Sequence, residues 1–209
     1  MKKYFVTIAL TFALIANAQQ PSKDLVIYER FIAEAGIRIP LDKLADKIGP
    51  SPEFGLWFRS QMPNNDMIDV GFTLYAPTNR RGFIYLSDKE TYTVKPAAVS
   101  GMAGVRFNKL YALGGSRLKN IVEWSTTAGY AFFMYNDENI RAGRGRQNAE
   151  SNNVAKALST FQIGQGIKFD ISNIGFQMHY NYTPYGLLSN HVSDDFGAHS
   201  ITIGILYRQ

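Results

Sequence analysis

Residues 174–183 read IGFQMHYNYT, and the ten of them alternate without a fault. Ile174, Phe176, Met178, Tyr180 and Tyr182 fall on one side; Gly175, Gln177, His179, Asn181 and Thr183 fall on the other. Successive side chains of a β-strand point to opposite faces, so a period of two describes a strand with one apolar and one polar surface. An amphipathic helix would repeat its apolar positions every three or four residues instead. This segment therefore has to sit between two different environments.

The same alternation recurs along the chain. FIAEAGIRI sets Phe31, Ala33, Ala35, Ile37 and Ile39 against Glu34, Gly36 and Arg38. FGLWFRS sets Phe54, Leu56 and Phe58 against Gly55, Trp57 and Arg59, and IDVGFTLY sets Ile68, Val70, Phe72 and Leu74 against Asp69, Gly71 and Thr73. VSGMAGVRFN opposes Val99, Val105 and Phe107 to Ser100, Gly104, Arg106 and Asn108. VEWSTTAGYAFFM opposes Val122, Trp124, Ala128, Tyr130, Phe132 and Met134 to Glu123, Ser125, Thr127 and Gly129. In FQIGQGIKFD, Phe161, Ile163, Ile167 and Phe169 share a face on which Gln165 is the sole exception. The chain closes on HSITIGILYRQ, where Ile201, Ile203, Ile205 and Tyr207 alternate with Thr202, Gly204, Leu206 and Arg208. Eight strands are predicted.

Their connections alternate in length. Pro63-Asn64-Asn65, the region of Gly114-Gly115, and Ile171-Ser172 are short; 40–52, 77–96, 136–156 and 184–198 are long and polar. That pattern predicts an all-β, eight-stranded antiparallel up-and-down transmembrane β-barrel with short periplasmic turns and four longer extracellular loops. A soluble lipocalin-like barrel also alternates, but it turns its apolar face inward. Here the polar face carries glycines and charges of both signs. The opposite face carries many of the 14 phenylalanines and 12 tyrosines, as a lipid-facing surface with interfacial girdles requires.

The compartment follows from the N-terminus. Lys2 and Lys3 precede an apolar run, and Ala16-Asn17-Ala18 is a small-x-small cleavage site, so 1–18 reads as a secretory signal peptide and 19–209 as the barrel domain. The run is too short for a spanning helix, which needs about 20 apolar residues. Removing Lys2 and Lys3 leaves 20 basic against 17 acidic residues, which makes no case for nucleic acid. The absence of cysteine removes disulfides, thiolate catalysis and the common zinc sites together.

The ending resembles the C-terminal assembly signal of outer-membrane barrels: a polar residue, a glycine and an aromatic at Thr202, Gly204 and Tyr207. Gln209 stands where a final aromatic is expected. Beyond the signal peptide, the whole chain resembles the small eight-stranded outer-membrane barrels of the OmpX, OmpW and OmpA membrane-domain type. The resemblance implies handling by the barrel-assembly machinery and surroundings of outer-membrane lipid and lipopolysaccharide. It says little about activity.

The interior of an eight-stranded barrel is only wide enough for side chains to fill it. The inward set predicted here includes Glu34, Arg38, Arg59, Asp69, Arg106, Glu123, Lys168 and His179. Buried charges are costly unless paired, and both signs are present. With Pro63-Asn64-Asn65 as the whole turn, Met62 faces Asp66 and Arg59 lies across from Asp69. Such a network is a plug and structural support rather than a pore.

Other features were weighed for chemistry. Arg80, Arg81, Arg141, Arg144 and Arg146 lie in predicted extracellular loops, and the arginine fork suits phosphates such as those of lipopolysaccharide. His191, Ser193, Asp194, Asp195 and His199 have the residue types of a nucleophilic set, as a lipid A deacylase would need. A palmitoyl-transferring barrel needs an interior hydrocarbon slot, which the charged interior opposes, and an omptin-type protease is a larger, ten-stranded barrel. Three scattered histidines give no metal-ligand spacing, and no cofactor is expected. The reading is a non-enzymatic barrel with a structural, adhesive or complex-subunit role, holding an envelope protein partner in the last case. A narrow channel for small solutes and a lipid A-modifying enzyme are its rivals.

Overall fold

A computed structural model describes residues 31–62, 66–79, 83–86, 91–112, 120–136, 155–171, 173–188, 192 and 196–209. Eight long strands carry the architecture: β1 (Phe31–Pro40), β2 (Ser51–Gln61), β3 (Asp66–Tyr75), β4 (Thr91–Ala112), β5 (Asn120–Asn136), β6 (Ala155–Ile171), β7 (Ile174–Tyr182) and β8 (His199–Arg208). Each pairs antiparallel with the next in sequence. β8 returns to pair with β1 from Ile32↔Arg208 to Pro40↔Ser200, which closes the ring and leaves no open edge at the seam. Two short helices, α1 (Asp42–Lys47) and α2 (Tyr185–Leu188), sit at the end where the long connections lie.

Strand lengths are unequal. β4, β5 and β6 run for 22, 17 and 17 residues, whereas β1 and β8 have 10 each and β7 has 9. The stretch 77–96, expected as a loop, instead contributes Phe83–Leu86 and the first residues of β4, which pair from Phe83↔Val94 to Leu86↔Thr91. Thr91-Tyr92-Thr93-Val94 is rich in β-branched and aromatic residues that favour a strand, and the ladder is irregular only between Pro96 and Ser100. The 136–156 connection is likewise shorter than expected, because β5 reaches Asn136 and β6 starts at Ala155. The wall made by β4–β6 thus rises beyond the rest of the rim.

The alternation read from the sequence resolves into an inside and an outside. Phe54 (62% exposed) and Phe176 (58%) face outward, as do Leu56, Val70, Ile163, Ile203 and Ile205, whereas Glu34, Arg59, Asp69, Glu123 and Lys168 are buried within the ring. Trp57, in register with the charges, is inside at 1% exposed.

Glycines let so small a ring turn. Gly71, Gly104 and Gly129 stand side by side on β3, β4 and β5, and Gly36 faces Gly204 across the β1–β8 seam. A Cβ on Gly104 would come within 2.5 Å of the Gly129 Cα, and one on Gly204 within 2.8 Å of the Gly36 Cα. At these corners the neighbouring backbone occupies the space a side chain would need, as expected where a barrel bends sharply. We expect Gly104→Val to block closure: the wild type should migrate as a compact, heat-modifiable band after refolding, and the variant should give only the unfolded band.

Candidate functional site

The described interior holds ten buried charges: the carboxylates of Glu34, Glu53, Asp69, Glu123 and Asp170, and the cations of Arg38, Arg59, Arg106, Lys168 and Arg208. The two signs are equal in number, which is the condition for taking them all out of water.

Arg59 is the hub of one half. It stands directly across from Asp69 in the β2–β3 ladder, the register expected from the turn, and Met62 N–H donates to Asp66 O at 2.8 Å. Its Nε donates to Asp69 Oδ1 at 2.7 Å and its Nη2 to Oδ2 at 3.0 Å. The same guanidinium reaches across the lumen to Glu123 on β5, with Nη1 to Oε1 at 2.8 Å and Nη2 to Oε2 at 3.0 Å. Two bidentate contacts use the planar fork as a lysine could not. Asn108 Nδ2 also donates to Asp69 at 2.8 Å, and Ser125 Oγ donates to Asn108 Oδ1 at 2.9 Å. Arg208 Nη2 lies 2.8 Å from Glu123 Oε1 and 2.6 Å from Asp170 Oδ2, which ties the C-terminal strand into the same cluster.

Glu34 is the hub of the other half. Arg106 donates to it through Nη1 (2.6 Å) and Nη2 (3.2 Å), and Trp57 Nε1 donates to Oε2 at 3.0 Å. The Arg106 guanidinium also stacks over the Trp57 ring, 3.9 Å from its centroid. Lys168 Nζ links the halves electrostatically, 3.2 Å from Glu34 Oε1 and 3.9 Å from Asp69 Oδ2. Nearer the long-loop end, Arg38 donates to Gln162 Oε1 (2.7 Å) and Ser200 Oγ (3.1 Å), with Glu53 Oε2 at 3.4 Å. The His179 ring lies over Gly166, where a Cβ would collide with it, and its Nε2 has no hydrogen-bond partner among the described residues.

Apolar layers bound this polar core. Met67, Leu110 and Ile121 fill the short-turn end. At the other end Leu44 and Ile48 from the first long connection, Tyr75, Phe133 and Tyr135 from the walls, and Tyr185 and Phe196 from the last connection form a compact cap. Tyr75 and Tyr185 share a hydrogen bond between their hydroxyls at 3.0 Å. Burial, with the Tyr75 hydroxyl beside it, holds the Tyr185 phenol well above its usual range, so that bond remains between neutral groups. Gly197, at φ +87°, lies so close to the Leu44 backbone that no side chain would fit, and this locks the two connections together.

The seven interior charges and the one histidine singled out from the sequence all lie within the ring. Glu53, Asp170 and Arg208 were not singled out. Alternation already put Arg208 in phase with Thr202 and Gly204, and Asp170 in phase with Lys168, but phase alone does not show which charges meet across the lumen. The cap was missed because its residues lie in connections without a period. Thr202 Oγ1, facing inward, accepts from Asn181 Nδ2 at 3.2 Å; Gly204 lies at the seam and Tyr207 faces outward. His199 bonds through Nδ1 to the Tyr180 hydroxyl at 2.5 Å and stacks on that ring. Arg80, Arg81, Arg141, Arg144, Arg146, His191, Ser193, Asp194 and Asp195 lie outside the described residues, as do 1–18. Among the described residues no cluster of histidine and carboxylates is arranged to hold a metal ion. No protein-family model matches the chain, and no curated protein is significantly similar to it.

What this arrangement can do chemically is hold itself shut. Replacing Arg59 with alanine would leave Asp69 and Glu123 short of a buried cation, a loss typically worth about 3–5 kcal/mol. Urea titration of Arg59→Ala should show a lower midpoint than the wild type, and Arg59→Lys should recover only part of the difference because lysine cannot chelate two carboxylates at once.

Proposed function

We propose that this chain is an integral outer-membrane β-barrel with a structural, adhesive or complex-subunit role and no enzymatic or transport activity. The observation that carries the proposal is the direction of its polarity: aromatic and aliphatic side chains outside, matched charges inside. Fully burying one such side chain contributes roughly 1.5–3 kcal/mol, so a belt of them facing water would be strongly unfavourable, while hydrocarbon accommodates it. Closure supports the same reading, because a β-sheet satisfies its backbone in lipid only as a barrel without edges. On this reading 1–18 directs export, the short turns face the periplasm, and Thr202, Gly204 and Tyr207 form the signal read by the assembly machinery.

The dense core supports a plug over a channel. A solute would have to displace the cap, then break the buried ion pairs, then pass Met67, Leu110 and Ile121. Of the nucleophilic set weighed from the sequence, the described member, His199, is bonded to a tyrosine on the outer surface. The tall wall of β4–β6 offers an extracellular surface for an envelope partner or another cell.

Fractionation and reconstitution test the proposal together. The protein should stay with outer membranes through carbonate washing, and the refolded barrel should leave planar bilayers electrically silent. Discrete conductance steps would instead establish a pore, and recovery in the periplasmic fraction would contradict membrane integration. A shifted lipid A mass profile in cells producing the protein would make it an enzyme.

A further inference from the structure

The last strand carries the charge that the rest of the lumen lacks. Set Arg208 aside, and the five buried carboxylates of the described interior face only four cations. Glu123 already has both oxygens held by Arg59, so the carboxylate left over is Asp170. It is 3% exposed on β6, and its ion-pair partner is Arg208, whose Nη2 lies 2.6 Å from Oδ2. That contact has to cross β7, and it does so at Gly175, which pairs with Asp170 on one side and Leu206 on the other. A Cβ on Gly175 would collide with Asp170 Oδ1 and come within 3.1 Å of Leu206 Cδ1. Bare backbone there lets the β6 carboxylate reach toward β8. The same guanidinium lies 2.8 Å from Glu123 on β5. Three strands would separate these two residues by about 14 Å in a flat sheet, so their side chains meet only once the sheet curls. Arg208 N–H donates to Asn173 O at 3.0 Å, and Gln209 and Phe31 of β1 exchange backbone bonds of 3.1 and 3.4 Å. The stretch that finishes the seam is therefore the stretch that delivers the charge.

We propose that Arg208 is a latch that couples closure of the β1–β8 seam to neutralisation of the lumen. Curling the sheet into a ring takes Asp170 out of water, and a buried carboxylate without its cation opposes that step. Arg208 arrives in the same movement that joins β8 to β1, so the ring closes fast only when the last strand is seated in register. A slip of one residue would turn Arg208 to the outer face and leave Asp170 unmet. The latch is a property of the ring itself, whatever surrounds it. Its role is kinetic and so differs from static support. A pairing made during closure sets the closing rate, whereas one made afterwards sets the rate of opening.

The absence of cysteine gives closure a direct readout. Ile37 and Ile203 face each other across the seam and point outward, away from the lumenal charges. Ile37→Cys with Ile203→Cys, in the full chain, should form an intramolecular disulfide as the barrel folds from urea into detergent micelles, at a rate that follows closure. In that background Arg208→Gln should slow the disulfide by about ten- to a hundred-fold, a fractional share of the loss of a buried pair. Arg208→Lys, which keeps the charge, should stay within a few-fold of the parent. Adding Asp170→Asn to Arg208→Gln removes the surplus carboxylate and should restore the rate even though the pair is gone. Unfolding rates are measured on the same proteins. An Arg208→Gln protein that closes at the parent rate and only unfolds faster makes Arg208 static support and overturns the proposal. So does an Arg208→Gln, Asp170→Asn protein that closes no faster than Arg208→Gln alone.

Discussion

The Arg59 guanidinium lies between Asp69 of β3 and Glu123 of β5, and the rest of the barrel serves to keep that bridge dry and complete. A buried ion pair stabilises only when its geometry is good and every remaining donor and acceptor is met. Asn108 meets Asp69 from the next strand, Arg208 meets Glu123 from the last, and Lys168 stands between Asp69 and Glu34. The network therefore spans β1 to β8 and acts as a second closure, through the lumen, of the ring that backbone hydrogen bonds close around it. Its cost is rigidity of composition, since losing one cation strands carboxylates on two strands.

A lumen this narrow is set by the corners. Gly71, Gly104 and Gly129 let three adjacent strands bend together, and Gly36 with Gly204 does the same at the seam. Without them the strands could not approach closely enough for side chains from opposite walls to touch. The apolar layers at the two ends complete the insulation, and low polarity around the charges strengthens their mutual attraction. Narrowness, pairing and closure are then one property seen at three scales.

Most of this was legible in the residues. Period-two alternation located the eight strands and their two faces, and a short turn fixed the Arg59–Asp69 register, because a slip of one residue would have put every charge on the outer face. What alternation does not carry is where a strand stops. Thr91 to Val94 continue past the point where the polar contrast fades because they pair with Phe83 to Leu86, and the ends of β5 and β6 do so because they pair with each other. The partners of Glu123 and Glu34 were equally hidden, since β5 meets β2 and β4 meets β1 across the lumen rather than in any ladder. The cap formed by Leu44, Tyr185 and Phe196 depends on contacts between two connections far apart in sequence, joined at Gly197.

The central claim is that the two faces of every strand meet lipid on the outside and protein on the inside. The chain's two tryptophans test it without any added probe, because Trp57 is enclosed and Trp124 lies on the outer face. Single-tryptophan variants, Trp124→Phe and Trp57→Phe, would be refolded into vesicles containing brominated lipids, which quench fluorescence only on contact. The account predicts strong quenching of Trp124 and almost none of Trp57. Quenching of Trp57, or none of either residue, would contradict it.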